Sequence, residues 1–101
     1  MKLLIVTSVS EFNTEVRALF RKAEIERYSE SDIEGFKNAT PFMMRSGWFE
    51  GSGQGTESDM FFSFTEPEKV EVLFGLIEEF NSMLETDNPV KAVVVPVEKF
   101  I

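Results

Sequence analysis

Twice along this 101-residue chain an apolar, β-branched run gives way to helical periodicity, and between the two occurrences lie 22 residues with no sustained period. Residues 3–9 (Leu-Leu-Ile-Val-Thr-Ser-Val) are apolar in both phases of the strand repeat, the pattern of a central strand covered on at least part of each side. From Ser10 the period changes. Phe12, Val16, Leu19, Phe20 and Ala23 fall on one helical face, which predicts a helix over 11–24 with Ser10 as its N-cap. Glu11 and Glu15 near its start and Arg21 and Lys22 near its end suit the helix dipole. Residues 26–36 then read as a second strand with imperfect alternation, an acidic outer face (Glu26, Glu30, Asp32, Glu34) and room for a bulge.

The aperiodic interval, 37–58, holds four of the six glycines and is long for a structureless connection, so it reads as a functional or mobile loop. Within it, 41–45 and 48–50 flank Ser46-Gly47, a pattern that allows a projecting two-stranded arm. The second block opens with an aromatic strand over 59–64. At Thr65-Glu66-Pro67-Glu68 the spacing of Thr65 and Glu68 predicts a capping box, with the proline in the first helical turn where its missing amide costs little. The helix that follows carries Val70, Leu73, Phe74, Ile77, Phe80 and Leu84 on one face, and Val72, Leu76 and Met83 widen the stripe toward a possible subunit contact. Thr86-Asp87-Asn88-Pro89 is turn chemistry, and 90–97 forms the last strand.

The order β-α-β, long loop, β-α-β, with right-handed crossovers, predicts an α+β domain over residues 1–101: the ferredoxin-like arrangement, a four-stranded antiparallel sheet with two helices on one face. The other face of that sheet is then left bare. A monomer exposing it carries more apolar surface than soluble monomers usually tolerate, so self-association is expected, and sequence alone does not separate a trimer from a dimer.

Composition narrows the chemistry. Eighteen acidic against ten basic residues give a net charge of −8, which repels nucleic acid and anionic lipid. With no Cys there is no thiol nucleophile or disulfide, and with no His the commonest metal ligand and general base are missing. No apolar run approaches the ~20 residues that span a bilayer, and no signal-peptide pattern opens the sequence, so a cytoplasmic protein without direct membrane insertion is expected.

The remaining motifs are weak. Gly51-Ser52-Gly53-Gln54-Gly55-Thr56 lacks the flanking strand, helix and lysine of a phosphate loop and reads as flexible glycine. Asn38-Ala39-Thr40 matches a glycosylation triplet by coincidence, in the absence of a secretion signal. Met43-Met44 is a poor copper(I) site without Cys or His, and Glu66, Glu68, Glu78 and Glu79 read as a solvated acidic face, not as acid-base or magnesium groups. More informative is the gathering of Phe42, Met43, Met44, Arg45, Trp48 and Phe49, residue types that dominate binding hot spots, in an otherwise polar loop. They are the candidate partner-binding residues, against burial on the parent domain or a sister subunit.

Residues 25–37 (Ile-Glu-Arg-Tyr-Ser-Glu-Ser-Asp-Ile-Glu-Gly-Phe-Lys) resemble the P-II nitrogen-regulatory signalling proteins, in which the second strand runs through a Gly-Phe-Gly step into a long loop, the T-loop. Val95-Pro96-Val97-Glu98-Lys99-Phe100-Ile101 is similar to that family's final strand, and Phe64-Thr65-Glu66-Pro67 matches the strand-to-helix step. The resemblance implies a ferredoxin-like protomer, a homotrimer with its sheets packed inward, adenine nucleotides in clefts between subunits, and T-loops that touch transporters or enzymes. It also makes Gly35, Phe36, Lys37 and Lys91 the candidate ligand-binding residues.

The sequence departs from the family at several points. Thr86-Asp87-Asn88-Pro89-Val90-Lys91 lacks the Gly- and Lys-rich phosphate-holding loop, Lys37 replaces the second glycine, and the sequence closes at Ile101 where phosphate-binding arginines would follow. A triphosphate carries about four negative charges and needs several cations or aligned amides, and Lys37, Lys91, Lys99 and Arg45 are the visible candidates. The expectation is therefore a non-catalytic P-II-like regulator acting through its 37–58 loop on a transporter or other protein, with no certain cofactor and no metal. The alternatives are a small-ligand or metal-ion sensor of the divalent-cation tolerance type on the same scaffold, and, more remotely, a ferredoxin-like dimeric enzyme, which a cleft holding a buried, pKa-shifted carboxylate would revive.

Overall fold

The computed structural model describes residues 1–34, 57–85 and 88–101. Four strands form one sheet: β1 (Lys2–Val9), β2 (Ser29–Glu34), β3 (Glu57–Thr65) and β4 (Lys91–Pro96). Their spatial order is β2-β3-β1-β4, every neighbouring pair is antiparallel, and two helices, α1 (Asn13–Lys22) and α2 (Pro67–Ser82), make the crossovers. This is the expected α+β, ferredoxin-like architecture, with β1 and β3 at the centre of the sheet.

One phase of each central strand faces the helices. Leu4 and Val6 of β1 and Phe61 of β3 are fully buried, and they pack with Val16, Leu19 and Phe20 of α1 and Val70, Leu73 and Ile77 of α2. Phe20 sits between Tyr28 and Phe61, with ring centroids 4.6 and 5.6 Å away in tilted geometries. Such contacts contribute about 0.5–1.5 kcal/mol each beyond the area they bury. Phe12 meets Phe80 edge-on at 5.9 Å and ties the start of the α1 segment to α2. Asn81 receives the amide of Val90 and donates to its carbonyl, both at 2.9 Å, which satisfies a buried backbone at the entry to β4.

The expected elements are present, and their boundaries move for local reasons. Ser10 does not cap α1. Residues Ser10–Phe12 form a 3₁₀ turn, α1 starts at Asn13, and neither end carries a side-chain cap bond. Thr65 and Glu68 do not make a capping box either. Thr65 pairs with Lys2 as the last residue of β3, Glu66 takes the N-cap position, and the amides of Lys69 and Val70 donate to its carbonyl, with Pro67 in the first turn as expected. β2 pairs with β3 in unbroken register from Ser29↔Phe62 to Glu34↔Glu57, with no bulge. β3 begins at Glu57, so Glu57 and Ser58, expected in the loop, belong to the sheet. On α2 the wide stripe divides: Val70, Leu73 and Ile77 are buried, whereas Val72 and the adjoining Met83 are exposed.

Candidate functional site

Three strand ends meet where segment 35–56 leaves the sheet. β2 finishes at Glu34, β3 starts opposite it at Glu57, and β1 reaches the same end at Val9, paired with Ser58. Lys91 opens β4 opposite Thr7, half-buried, so this candidate ligand-binding residue stands at the same end of the sheet, two strands from the exit of the segment. Its companions Gly35, Phe36 and Lys37 lie outside the described residues, as do Phe42, Met43, Met44, Arg45, Trp48 and Phe49.

The sheet face turned away from the helices is the second feature. Leu3, Ile5 and Thr7 of β1 alternate with the buried phase, and the register sets them beside Phe64, Phe62 and Met60 of β3 and Val95, Val93 and Lys91 of β4. Phe64 is 56% exposed and Val93 and Val95 are also exposed. This is the bare apolar face anticipated from the topology, left uncovered by the described residues.

The third feature was missed from sequence. Asp59 occupies the helix-facing phase of β3, two residues before Phe61, and is 1% exposed. Asp32 is its direct cross-strand partner on β2. Asp32 and Asn13 are the polar side chains that act most strongly on the Asp59 carboxyl, whose Oδ2 lacks a partner, the one buried side-chain polar atom so placed among the described residues. Burial first, and then Asp32, push the Asp59 carboxyl above the usual carboxylate range, while the amide of Asn13 pulls it down. Close by, Arg17 of α1 holds Glu30 of β2 through two hydrogen bonds of 2.7 Å, and this paired geometry lowers the Glu30 carboxyl and raises the guanidinium. The sequence signal existed: an aspartate at 59 in the same phase as Phe61. It was hidden because Phe61, Phe62 and Phe64 occupy both phases.

This carboxyl lies in the layer between sheet and helix, and a surface groove of about 590 Å³ among the described residues is lined by others, Glu26, Tyr28, Ser29, Phe62 and Phe64 among them. Among the described residues no group of three or more Asp, Glu, His or Cys is arranged to hold a metal ion. No helix among them is long and apolar enough to cross a membrane.

No family model and no curated protein matches the sequence. Solved structures do match the fold. A structure of CPII, a nitrogen regulatory PII-like protein from Thiomonas intermedia K12 bound to ADP, AMP and bicarbonate, is similar with a TM-score of 0.63 at 16% identity, over 99% of this chain and 94% of that one. The apo form of CPII gives a TM-score of 0.63 at 14% identity over 95% and 89%. CPII bound to ADP, AMP and acetate gives 0.64 at 15% identity over 97% and 88%. The resemblance read from 25–37 and 95–101 thus meets a PII-like structural neighbour across the whole chain, at the level of the fold.

Proposed function

We propose that residues 1–101 form one domain of a divergent PII-like regulatory protein, a homotrimer that works in the cytoplasm, catalyses no reaction, and acts through its 37–56 segment on a transporter or other protein partner. The open apolar sheet face carries this reading. Leu3, Ile5, Phe62, Phe64, Val93 and Val95 need a cover, and three protomers turning these faces inward supply one. The likeness to CPII supports a regulatory role, and its ADP- and AMP-bound forms with bicarbonate or acetate support an anionic ligand, an adenine nucleotide or small carboxylate, at the sheet end that Lys91 marks.

A Phe64→Glu variant tests the assembly. Because Phe64 is already exposed in the protomer, the variant keeps the parental circular dichroism and sediments as a single chain; a variant that assembles like its parent removes the open face from the contact. Calorimetry with AMP, ADP and bicarbonate tests the ligand. Binding weakened about tenfold or more in Lys91→Ala supports the Lys91 end, since a hydrogen bond to a charged group contributes about 1.5–3 kcal/mol. No heat from any of the three at millimolar concentration ends the anion proposal.

A further inference from the structure

A carboxylate removed from water and left with an unpaired oxygen is costly, and the cost falls when the group binds a proton or shares one. Asp59 meets that description geometrically: it is 1% exposed, its Oδ2 is unpartnered, and the carboxyl directly opposite belongs to Asp32, which is exposed and so open to proton exchange with solvent. Two acidic side chains in direct cross-strand register repel when both are ionised and bond when one proton lies between them. The next pair of the same phase, Glu34↔Glu57, is again two acidic residues, and it is the last pair before segment 35–56. No such pairing occurs at the far end of β2, where Ser29 meets Phe62.

We infer that Asp32 and Asp59 are a proton-sharing carboxyl pair that clamps β2 to β3, so that proton binding at this pair sets how firmly the sheet holds the root of segment 35–56. The Arg17 guanidinium feels the charge of Asp59, but both of its hydrogen bonds go to Glu30, so it does not take the place of the proton. From β2, Glu30 also faces the pair, but its carboxylate is taken by Arg17 of α1 in the two-bonded contact. Asn13 of α1 offers a neutral amide. Ser8 of β1, opposite Asp59 on its other side, donates its hydroxyl to the carbonyl of Val9. On β3 itself Glu57 adds only negative charge.

The sign follows from the raised Asp59 carboxyl. The folded chain holds this proton more tightly than the unfolded chain, so the stabilisation is full below the ordinary aspartate pKa and is lost as pH rises through the raised folded value. Raising the pH through that folded value therefore loosens the root, and lowering it fastens the root.

Carboxyl-carbon NMR titration together with amide hydrogen exchange tests the clamp in the full chain. In the wild type, Asp59 titrates above the usual carboxylate range. Across that interval the protection of the β2 amides, corrected for intrinsic exchange, falls by up to about tenfold per pH unit. In Asp59→Asn the protection is flat. An Asp59 that titrates in the ordinary range, a protection without pH dependence, or an Asp59→Asn chain that keeps the wild-type dependence overturns the inference. Should Asp59→Asn fail to fold, Asp32→Asn decides: sharing predicts that Asp59 then titrates lower, and an unchanged Asp59 titration refutes it.

Discussion

Glu24 has a positive φ of 61°, in the left-handed region that favours glycine. It follows the end of α1, where the amide of Ile25 bonds the carbonyl of Phe20 at 2.9 Å and that of Glu24 bonds Arg21 at 3.0 Å, a Schellman closure. Lys69 of α2 then donates to the Glu24 carbonyl at 3.0 Å, a backbone contact that any residue at 24 retains. Glu24→Gly is therefore expected to raise stability by about 1 kcal/mol, seen as a higher urea midpoint at unchanged slope. Nothing in the sequence announced this cap, because the usual glycine is absent. Asp59 was hidden for a different reason. Aromatic residues at 61, 62 and 64 make both phases of β3 apolar, so hydrophobicity alone could not tell the fully buried Phe61 from the exposed Phe64, or place Asp59 inward. Only the pairing with β1 and β2 fixes the phase.

The type and order of the elements were legible because their periods differ: a β-branched run at 3–9, then apolar residues at helical spacing from 12 to 23. The ends were less legible, since a capping signature competes with the strand beside it. Thr65 had the sequence of an N-cap but is spent on the last rung of β3. Two expectations belong to this scale. Gly75 lies inside α2, exposed, with open space where a Cβ would stand, so Gly75→Ala gains helix propensity without a clash. It is expected to stabilise by about 0.5–1 kcal/mol, measured by chemical denaturation. Arg17 links α1 to the edge strand β2 through Glu30, whose carboxyl it lowers. A lowered folded pKa gives stability that is present above the unfolded value and lost as pH falls through the folded one. The stability difference between wild type and Arg17→Ala is thus expected at neutral pH, and it should vanish on acidification below the range in which Glu30 titrates. A difference that persists unchanged at low pH would show that Arg17 acts by packing alone. This dependence runs opposite to that of Asp59, so the two edges of the polar cluster are separable by titration.

At the scale of the molecule, the helix layer satisfies one face of the sheet and leaves the other with Leu3, Ile5, Phe62, Phe64, Val93 and Val95. That division was visible in the element order, which puts both crossovers on one side. The residues expected to contact a partner, from Phe42 to Phe49, and three of the four expected at the ligand, Gly35, Phe36 and Lys37, lie outside the described residues; of the candidate site, Lys91 alone has a place in the sheet. Their segment has no hydrophobic period, so no core phase can be read from it, and what it touches was never encoded as a local pattern. The chain's net charge of −8 opposes association, so burial of the open face must outweigh that repulsion, and added salt is expected to favour the assembly by screening it. Size-exclusion chromatography with light scattering tests the central claim most directly. A mass three times that of the 11.5 kDa chain, holding on dilution through the micromolar range, is the predicted result; a single-chain mass under the same conditions contradicts it.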